Sequence, residues 1–168
     1  MFLNHITYSF VYSVNDLSRL TQPADLQLLQ QQNTLQPGQT SAQSEAQSAE
    51  QFYDIGVEFH HTGQIDAAIR AYQNAIQRDP RFDSAYINLG LAFIQLGQLE
   101  DAKDVLQQVL TLPDRLETPA SVHTLAHYNL AIILERQGKP DEAIIEVQSA
   151  LAITPNFELA QRLLQRLR

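Results

Sequence analysis

The sequence predicts an all-α protein of three similar helical hairpins followed by a closing helix. The first supporting observation is a repeat: aromatic, small and aliphatic residues return at the same spacings in three segments between residues 49 and 157. Within each segment, large apolar residues recur at spacings of three and four, which places them on one face of a helix. A glycine lies in the middle of each segment, where a helix can end and the chain can reverse.

Three segments carry the repeat, at about 49–82, 83–116 and 124–157, and the second begins 34 residues after the first. The matching residues are Phe52, Ile55, Gly56, Phe59, Ala68, Tyr72 and Ala75 in the first, Tyr86, Leu89, Gly90, Phe93, Ala102, Leu106 and Val109 in the second, and His127, Leu130, Ala131, Leu134, Ala143, Val147 and Ala150 in the third. This pattern resembles the tetratricopeptide repeat (TPR) family, whose unit has about 34 residues. The resemblance implies a right-handed TPR superhelix, an α-solenoid of stacked hairpins.

Two segments precede the repeats. Residues 1–32 form an apolar arm whose pattern fits either a strand or a helix, although its β-branched and aromatic residues favour a strand. Three roles for this arm stay open: a plug for the repeat domain, a membrane-surface anchor, or an extension without a task. Residues 33–48 are rich in Gln and Ser, which predicts a flexible linker.

Glycines and prolines predict where the helices pack and end. Gly56 and Gly90 fall inside predicted helices, so we expect close contacts between helices there. Pro80 and Pro155 should end the second helix of their hairpins, because proline lacks the donor that another turn needs. The mid-segment glycines are expected in the left-handed conformation just past a helix end. They are Gly63, Gly97 and Gly138.

An insertion separates the second and third hairpins. The third begins 41 residues after the second, and the extra residues fall in 114–120. Thr118 followed by Pro119 indicates a helix cap and a first turn, so we expect a short loop and then a long helix from about Pro119 to Gln137. At the C-terminus, 158–168 has leucines on one side and arginines on the other, which predicts an amphipathic closing helix.

Composition restricts the classes of function. The 168 residues are 44% hydrophobic, enough for one compact core. A formal net charge of −8 without a basic cluster argues against a nucleic-acid partner. There is no cysteine, so neither a disulfide framework nor a thiolate site is available. No apolar run of about 18 residues occurs and no signal peptide is evident. We therefore expect a cytoplasmic protein or, alternatively, one peripheral to a membrane complex.

The family resemblance implies a partner-binding groove lined by the first helix of each hairpin. An apolar groove centre favours an apolar or amphipathic peptide, unless neighbouring repeats or the arm cover these residues. The residues at the family's inward positions, and thus the candidate partner-binding residues, are Tyr53, Val57, His60, Ile87, Asn88, Leu91, Ile94, Leu125, Tyr128, Asn129, Ile132 and Arg136.

One class of TPR domains holds the terminal carboxylate of chaperone partners with lysines, an arginine and asparagines. The positions in this chain that match those residues have no cation, and only one asparagine fits the pattern. A chaperone-tail clamp is therefore not expected. The matching residues are Tyr53, Val57, Asn88, Leu125 and Asn129.

The sequence gives little evidence for a catalytic or metal-binding site. His123 and His127 stand four residues apart on a predicted helix, a spacing that suits a metal, yet no third ligand is evident. Carboxylates such as Glu100 and Asp101 begin a helix, where they complement its dipole. The sequence therefore predicts no enzyme activity, cofactor or metal site. We expect a protein-interaction adaptor or assembly factor; the alternatives are a self-associating scaffold that forms a homo-oligomer, or a regulatory subunit attached to a separate enzyme or membrane complex.

Overall fold

The structure is a computed structural model that describes residues 41–115 and 120–168, with side chains from Ser48 onward. Those residues form helices and connecting loops and contain no strand, so the all-α prediction is confirmed. The arm at 1–32 lies outside the described residues. The helices are α1 (Ser41–His61), α2 (Ile65–Arg78), α3 (Asp83–Leu96), α4 (Leu99–Val109), α5 (Val122–Arg136), α6 (Pro140–Ile153) and α7 (Glu158–Leu167).

The helices pair in the predicted order. α1 packs on α2, α3 on α4 and α5 on α6, and each hairpin packs on the next through α2–α3 and α4–α5 contacts, with α7 closing the stack against α6. The first helices also touch one another directly, α1 with α3 and α3 with α5. Within the described residues, α2 and α4 do not pack on each other in a comparable way, nor do α4 and α6. The first helices therefore share one side of the stack.

The first helix begins earlier than expected. α1 starts at Ser41, within the stretch 33–48 that the sequence analysis assigns to a flexible linker, so residues 41–48 are helical instead. Alanine, glutamine and glutamate in this stretch have high helix propensity, and extending an existing helix is far cheaper than nucleating one. Ser48 and Ala49 are already buried, which ties this end of the helix to the domain.

Two glycines mark close helix contacts, as predicted. A Cβ atom at Gly56 would lie 2.5 Å from the Tyr72 ring, and one at Gly90 would lie 2.8 Å from Cγ of Leu106. Neither distance leaves room for a methyl group, so each glycine lets the second helix of its hairpin approach the first. The mid-segment glycines are left-handed, also as predicted. Their φ angles are +76° at Gly63, +75° at Gly97 and +73° at Gly138.

The third hairpin begins with a different cap from the one expected. α5 starts at Val122, and the hydroxyl of Ser121 accepts a hydrogen bond from the Thr124 amide at 3.2 Å. The Thr124 hydroxyl is itself bonded to Ser121, at 3.0 Å, and to Thr154 at 2.7 Å. This buried chain of hydroxyls makes Ser121 the N-cap of α5, while Thr118, the cap expected from the sequence, lies outside the described residues.

The loop before α5 is held at both ends. Arg115 forms an ion pair with the buried Asp83 at the first residue of α3. Asp114 Oδ1 accepts the amide of His123 at 3.0 Å, and the His123 ring contacts the carbonyl of Leu112 at 2.8 Å. His123 therefore links the start of α5 to this loop through both its backbone and its side chain.

Among the described residues, two hydrophobic clusters lie in the second and third hairpins and the closing helix. One fills the space between α3, α4 and α5 and includes the fully buried Leu106, Val109 and Ile133. The other lies between α5, α6 and α7 and includes Val147 and Leu163. Because α5 contributes to both clusters, it connects the second hairpin to the closing helix.

Candidate functional site

The candidate partner-binding residues lie on α1, α3 and α5, and most of them remain accessible. Arg136 is exposed, and eight others are half-buried, so part of each side chain faces solvent in the isolated chain. A half-buried apolar side chain packs on the core with one side and leaves the other for a ligand. The eight are Tyr53, Val57, His60, Asn88, Leu91, Leu125, Tyr128 and Ile132.

Three candidates are buried instead, which corrects the expectation that all of them face an open groove. Ile87 is 6% exposed and Ile94 is 5% exposed, and both belong to the cluster between α3, α4 and α5. Asn129 is 4% exposed. α3 is the middle first helix and is covered by neighbours on several sides, so its inward positions also serve the core. Leu91 and Ile132 pack against the same cluster but keep partial exposure.

Aromatic rings hold the α1 end of the surface. The Tyr53 ring lies 5.9 Å from that of Tyr72 and 5.0 Å from that of Phe82, measured between centroids. Asn88 Nδ2 donates to the Tyr53 hydroxyl at 2.9 Å, which joins α1 to α3. His60 Nδ1 lies 3.3 Å from the Tyr72 hydroxyl. These contacts fix the position of Tyr53, so this end of the surface is already formed without a partner.

A small hollow opens where the first helices meet. Its volume is about 110 Å³, and it is lined by residues of α1, α3 and α5. The candidate residues Tyr53 and Asn88 lie at this hollow, and so does Leu125. The full lining is Tyr53, Ser84, Ile87, Asn88, Val122 and Leu125.

Two residues of the hollow were missed by the sequence analysis. Ser84 occupies the second position of its repeat, as Leu125 does in the third repeat, so the repeat alignment could have predicted it. Val122 precedes the aligned part of the third repeat, and its place depends on the loop geometry before α5. No sequence pattern indicates Val122.

The α5 end of the surface is held by contacts within the domain. Tyr128 packs edge-to-face on Phe157, with ring centroids 5.4 Å apart at 81°. Arg136 Nη1 donates to the carbonyl of Ile94 at 2.7 Å, so its guanidinium group joins α5 to the last turn of α3. Arg166 of α7 forms two hydrogen bonds with Glu135, at 2.9 and 2.6 Å. Arg136 and Glu135 therefore stabilise the stack, in addition to any role toward a ligand.

Negative charge accumulates at the α1 end. Burial raises the pKa of the Asp54 carboxyl above its ordinary value, and the nearby charge of Glu50 raises it further. Neither carboxylate takes part in the ion pairs found among the described residues. The surface is thus apolar in its centre and acidic beside Tyr53.

The His127 side chain forms a contact between two helices. Its Nδ1 lies 2.7 Å from Glu146 Oε2, which joins α5 to α6. In the part of the chain that the structure describes, no group of three His, Cys, Asp or Glu side chains is placed to hold a metal ion. No helix in that part is long and apolar enough to cross a membrane.

Two family profiles match the chain. One, described as TPR repeat, matches residues 56–97, and the other, described as Tetratricopeptide repeat, matches residues 81–156. The chain belongs to the tetratricopeptide repeat family. Together the two matches run from residue 56, inside α1, to just past the end of α6, so they include part of the first hairpin and the whole of the second and third.

Similar proteins agree with this assignment. Human Tetratricopeptide repeat protein 8 is 24% identical over 127 residues, which are 76% of this chain and 22% of that protein. This TPR chain therefore spans about a fifth of the relative's length. The fold is similar to that of the Arabidopsis OM64 TPR domain, with a TM-score of 0.65, 19% identity, and coverage of 74% of this chain and 97% of that one. It is also similar to the first TPR of Spaghetti (RPAP3) bound to the HSP90 peptide SRMEEVD, with a TM-score of 0.64, 20% identity, and coverage of 73% and 91%.

Proposed function

We propose that this TPR chain is a protein-interaction adaptor or assembly factor that binds an apolar or amphipathic peptide segment of another protein. The binding surface is the side of the stack formed by α1, α3 and α5. The observation that carries the proposal is the set of half-buried apolar residues on these helices, including Leu91, Leu125 and Ile132. Side chains of this kind gain contact area when an apolar segment covers them, which is how grooves recognise amphipathic peptides.

The family supports the general role. Tetratricopeptide repeat domains are protein-interaction modules, and one similar structure holds a short peptide of another protein. The hydrogen-bonded Tyr53 and Asn88, and the ion pair of Glu135 with Arg166, keep both ends of the surface in place. A surface that is formed in advance loses less conformational entropy when a peptide binds.

The chemistry of the surface favours an apolar ligand over an acidic one. The peptide SRMEEVD in the similar structure carries several carboxylates. None of the positions that match the ligand-binding residues of carboxylate-binding TPR domains holds a cation in this chain, and α1 adds the negative charges of Glu50 and Asp54. An acidic tail would lose its water shell here without meeting a cation at those positions. We therefore expect no measurable affinity for SRMEEVD.

A capture experiment with matched variants tests the proposal. The full-length chain is immobilised and exposed to extract of its native cell, and bound proteins are identified by mass spectrometry. Leu91→Glu and Ile132→Glu each place a charge on the proposed surface and should lose the specific partner while keeping the helical circular dichroism signal. Ile145→Glu is the control, because Ile145 lies on α6 and is 61% exposed.

Three results are informative. Loss of the partner in both surface variants but not in Ile145→Glu supports the proposal. Retention of the partner in both surface variants contradicts it. If light scattering shows a mass that grows with concentration, and the captured protein is the chain itself, the self-associating scaffold is the better description.

A further inference from the structure

The hollow where α1, α3 and α5 meet has the size and lining of an anchor subsite. We propose that it accepts one branched aliphatic side chain, from Val, Leu or Ile, of a partner peptide that has no acidic cluster beside this residue. The inference rests on the proposed function, which it makes specific: the apolar surface supplies general contact, and the hollow selects one residue of the ligand.

Size restricts the occupant. The hollow measures about 110 Å³. A cavity of about 150 Å³ lined by aliphatic and aromatic residues accepts benzene, whereas pockets for drug-sized molecules or cofactors measure about 300 to 1,000 Å³. The hollow is therefore too small for a cofactor and is expected to exclude an indole. One branched aliphatic side chain matches the available volume.

The apolar walls are rigid. Ile87 and Val122 are 6% and 1% exposed and belong to the core cluster between α3, α4 and α5, against which Leu125 also packs. Side chains that are held by a packed core do not rearrange easily when a ligand enters. The subsite is thus formed in advance, and a ligand side chain that fits it gains contact without reordering the protein.

The rim orients the ligand and disfavours acidic residues. Tyr53 is held by its ring contacts and by the hydrogen bond from Asn88, so it forms a fixed edge of the hollow. None of the six lining residues is a cation. Glu50 and Asp54 lie three residues before and one residue after Tyr53 on α1. A carboxylate next to the anchor residue would therefore meet negative charge from α1, and the guanidinium group of Arg115 beside Val122 is already paired with Asp83.

Peptide display on the full-length chain tests the subsite. A library of random short peptides is selected against the chain and, in parallel, against Leu125→Phe, whose larger side chain fills the hollow. A second variant, Asn88→Leu, narrows the hollow from the rim. It is used in place of Leu125→Phe if circular dichroism shows that Leu125→Phe does not fold. Leu91→Glu serves as the variant with a blocked surface.

The expected result is one position in the enriched peptides that is occupied by Val, Leu or Ile. In the peptides selected against Leu125→Phe, whose hollow is filled, this position should instead be occupied by Ala or Gly. A synthetic peptide with leucine at the anchor should bind the filled variant about tenfold or more weakly, because shape mismatch of a few carbon atoms in an apolar pocket has effects of this size. The affinity of the corresponding peptide with alanine at the anchor should differ by less than about threefold between the unaltered chain and the filled variant.

The remaining outcomes separate the two proposals. If enriched peptides lack an aliphatic position, carry acidic residues beside it, or keep the same motif with the filled hollow, the anchor subsite is overturned while the binding surface stands. If no peptide binds the unaltered chain better than it binds Leu91→Glu, both the subsite and the proposed function fail.

Discussion

Arg115 and Asp83 form a two-pronged ion pair across 32 positions of sequence. Nε of Arg115 lies 2.5 Å from Oδ2 of Asp83, and Nη2 contacts Oδ1. The Asp83 side chain is 2% exposed, whereas that of Arg115 is 56% exposed. The Arg115 carbonyl also accepts the amide of Val122 at 3.0 Å, and Val122 lines the hollow. The loop that departs from the repeat pattern therefore connects the start of α3 to one wall of the proposed anchor subsite.

We expect Arg115→Ala to lower the free energy of unfolding by about 1 to 3 kcal/mol, since it leaves the buried carboxylate of Asp83 without its cation. The exposure of Arg115 keeps the expected loss below that of a fully buried pair. Urea denaturation measures the change. Arg162→Ala is the control, because its pair with Glu158 is exposed on both sides and should contribute less than about 0.5 kcal/mol. Equal losses in the two variants would contradict the assigned role of Arg115.

Gly56→Ala should destabilise the first hairpin by about 1 to 3 kcal/mol, because the new methyl group would overlap the Tyr72 ring and force the helices apart. Thermal or urea unfolding provides the measurement. The double variant with Tyr72→Leu removes the ring, so the added cost of Gly56→Ala should become smaller in that background. Additive losses would mean that the Tyr72 ring is not what limits this position.

Alkaline pH should destabilise the domain through Tyr72. Burial raises the pKa of the Tyr72 hydroxyl above its ordinary value of 10.0, and the neighbouring Tyr53 raises it further. Above about pH 10, the unfolded chain releases this proton while the folded chain retains it, so the free energy of unfolding falls as pH rises and is unaffected by this group below that pH.

Urea denaturation at a series of alkaline pH values tests this effect. Tyr72→Phe should show a shallower decline above about pH 10 than the unaltered chain. Tyr86→Phe is a comparison, since burial and Asp79 also raise the pKa of Tyr86 but its side chain is only half-buried. An identical decline in the unaltered chain and in Tyr72→Phe would exclude Tyr72 as a source.

Ile87→Ala should cost about 2 to 5 kcal/mol, because it leaves a cavity in the cluster between α3, α4 and α5. Ile145→Ala removes an isoleucine from a surface position that is 61% exposed and should cost less than about 0.5 kcal/mol. The difference in urea midpoint between the two variants measures the burial directly. A small loss of unfolding free energy in Ile87→Ala would instead indicate that this side chain is accessible in the groove.

The repeat determined most of the fold in advance. The alternation of aromatic, small and aliphatic residues specifies which face of each helix is buried, and that local information predicts three hairpins and a closing helix. Gly56, Gly90 and the three left-handed glycines could be assigned because a close helix contact requires a small residue and a positive φ favours glycine. These features depend on positions within one hairpin.

The tertiary structure decided what depends on neighbours. The sequence places Ile87 and Ile94 on the inner face of α3, but only the packing of α4 and α5 against α3 shows that the core covers them. The N-cap of α5 at Ser121 and the position of Val122 follow from hydrogen bonds with residues distant in sequence, among them Thr154, and from the Arg115–Asp83 pair. Periodicity within one helix reports which side faces inward, whereas the depth of burial depends on how closely the adjoining hairpins approach.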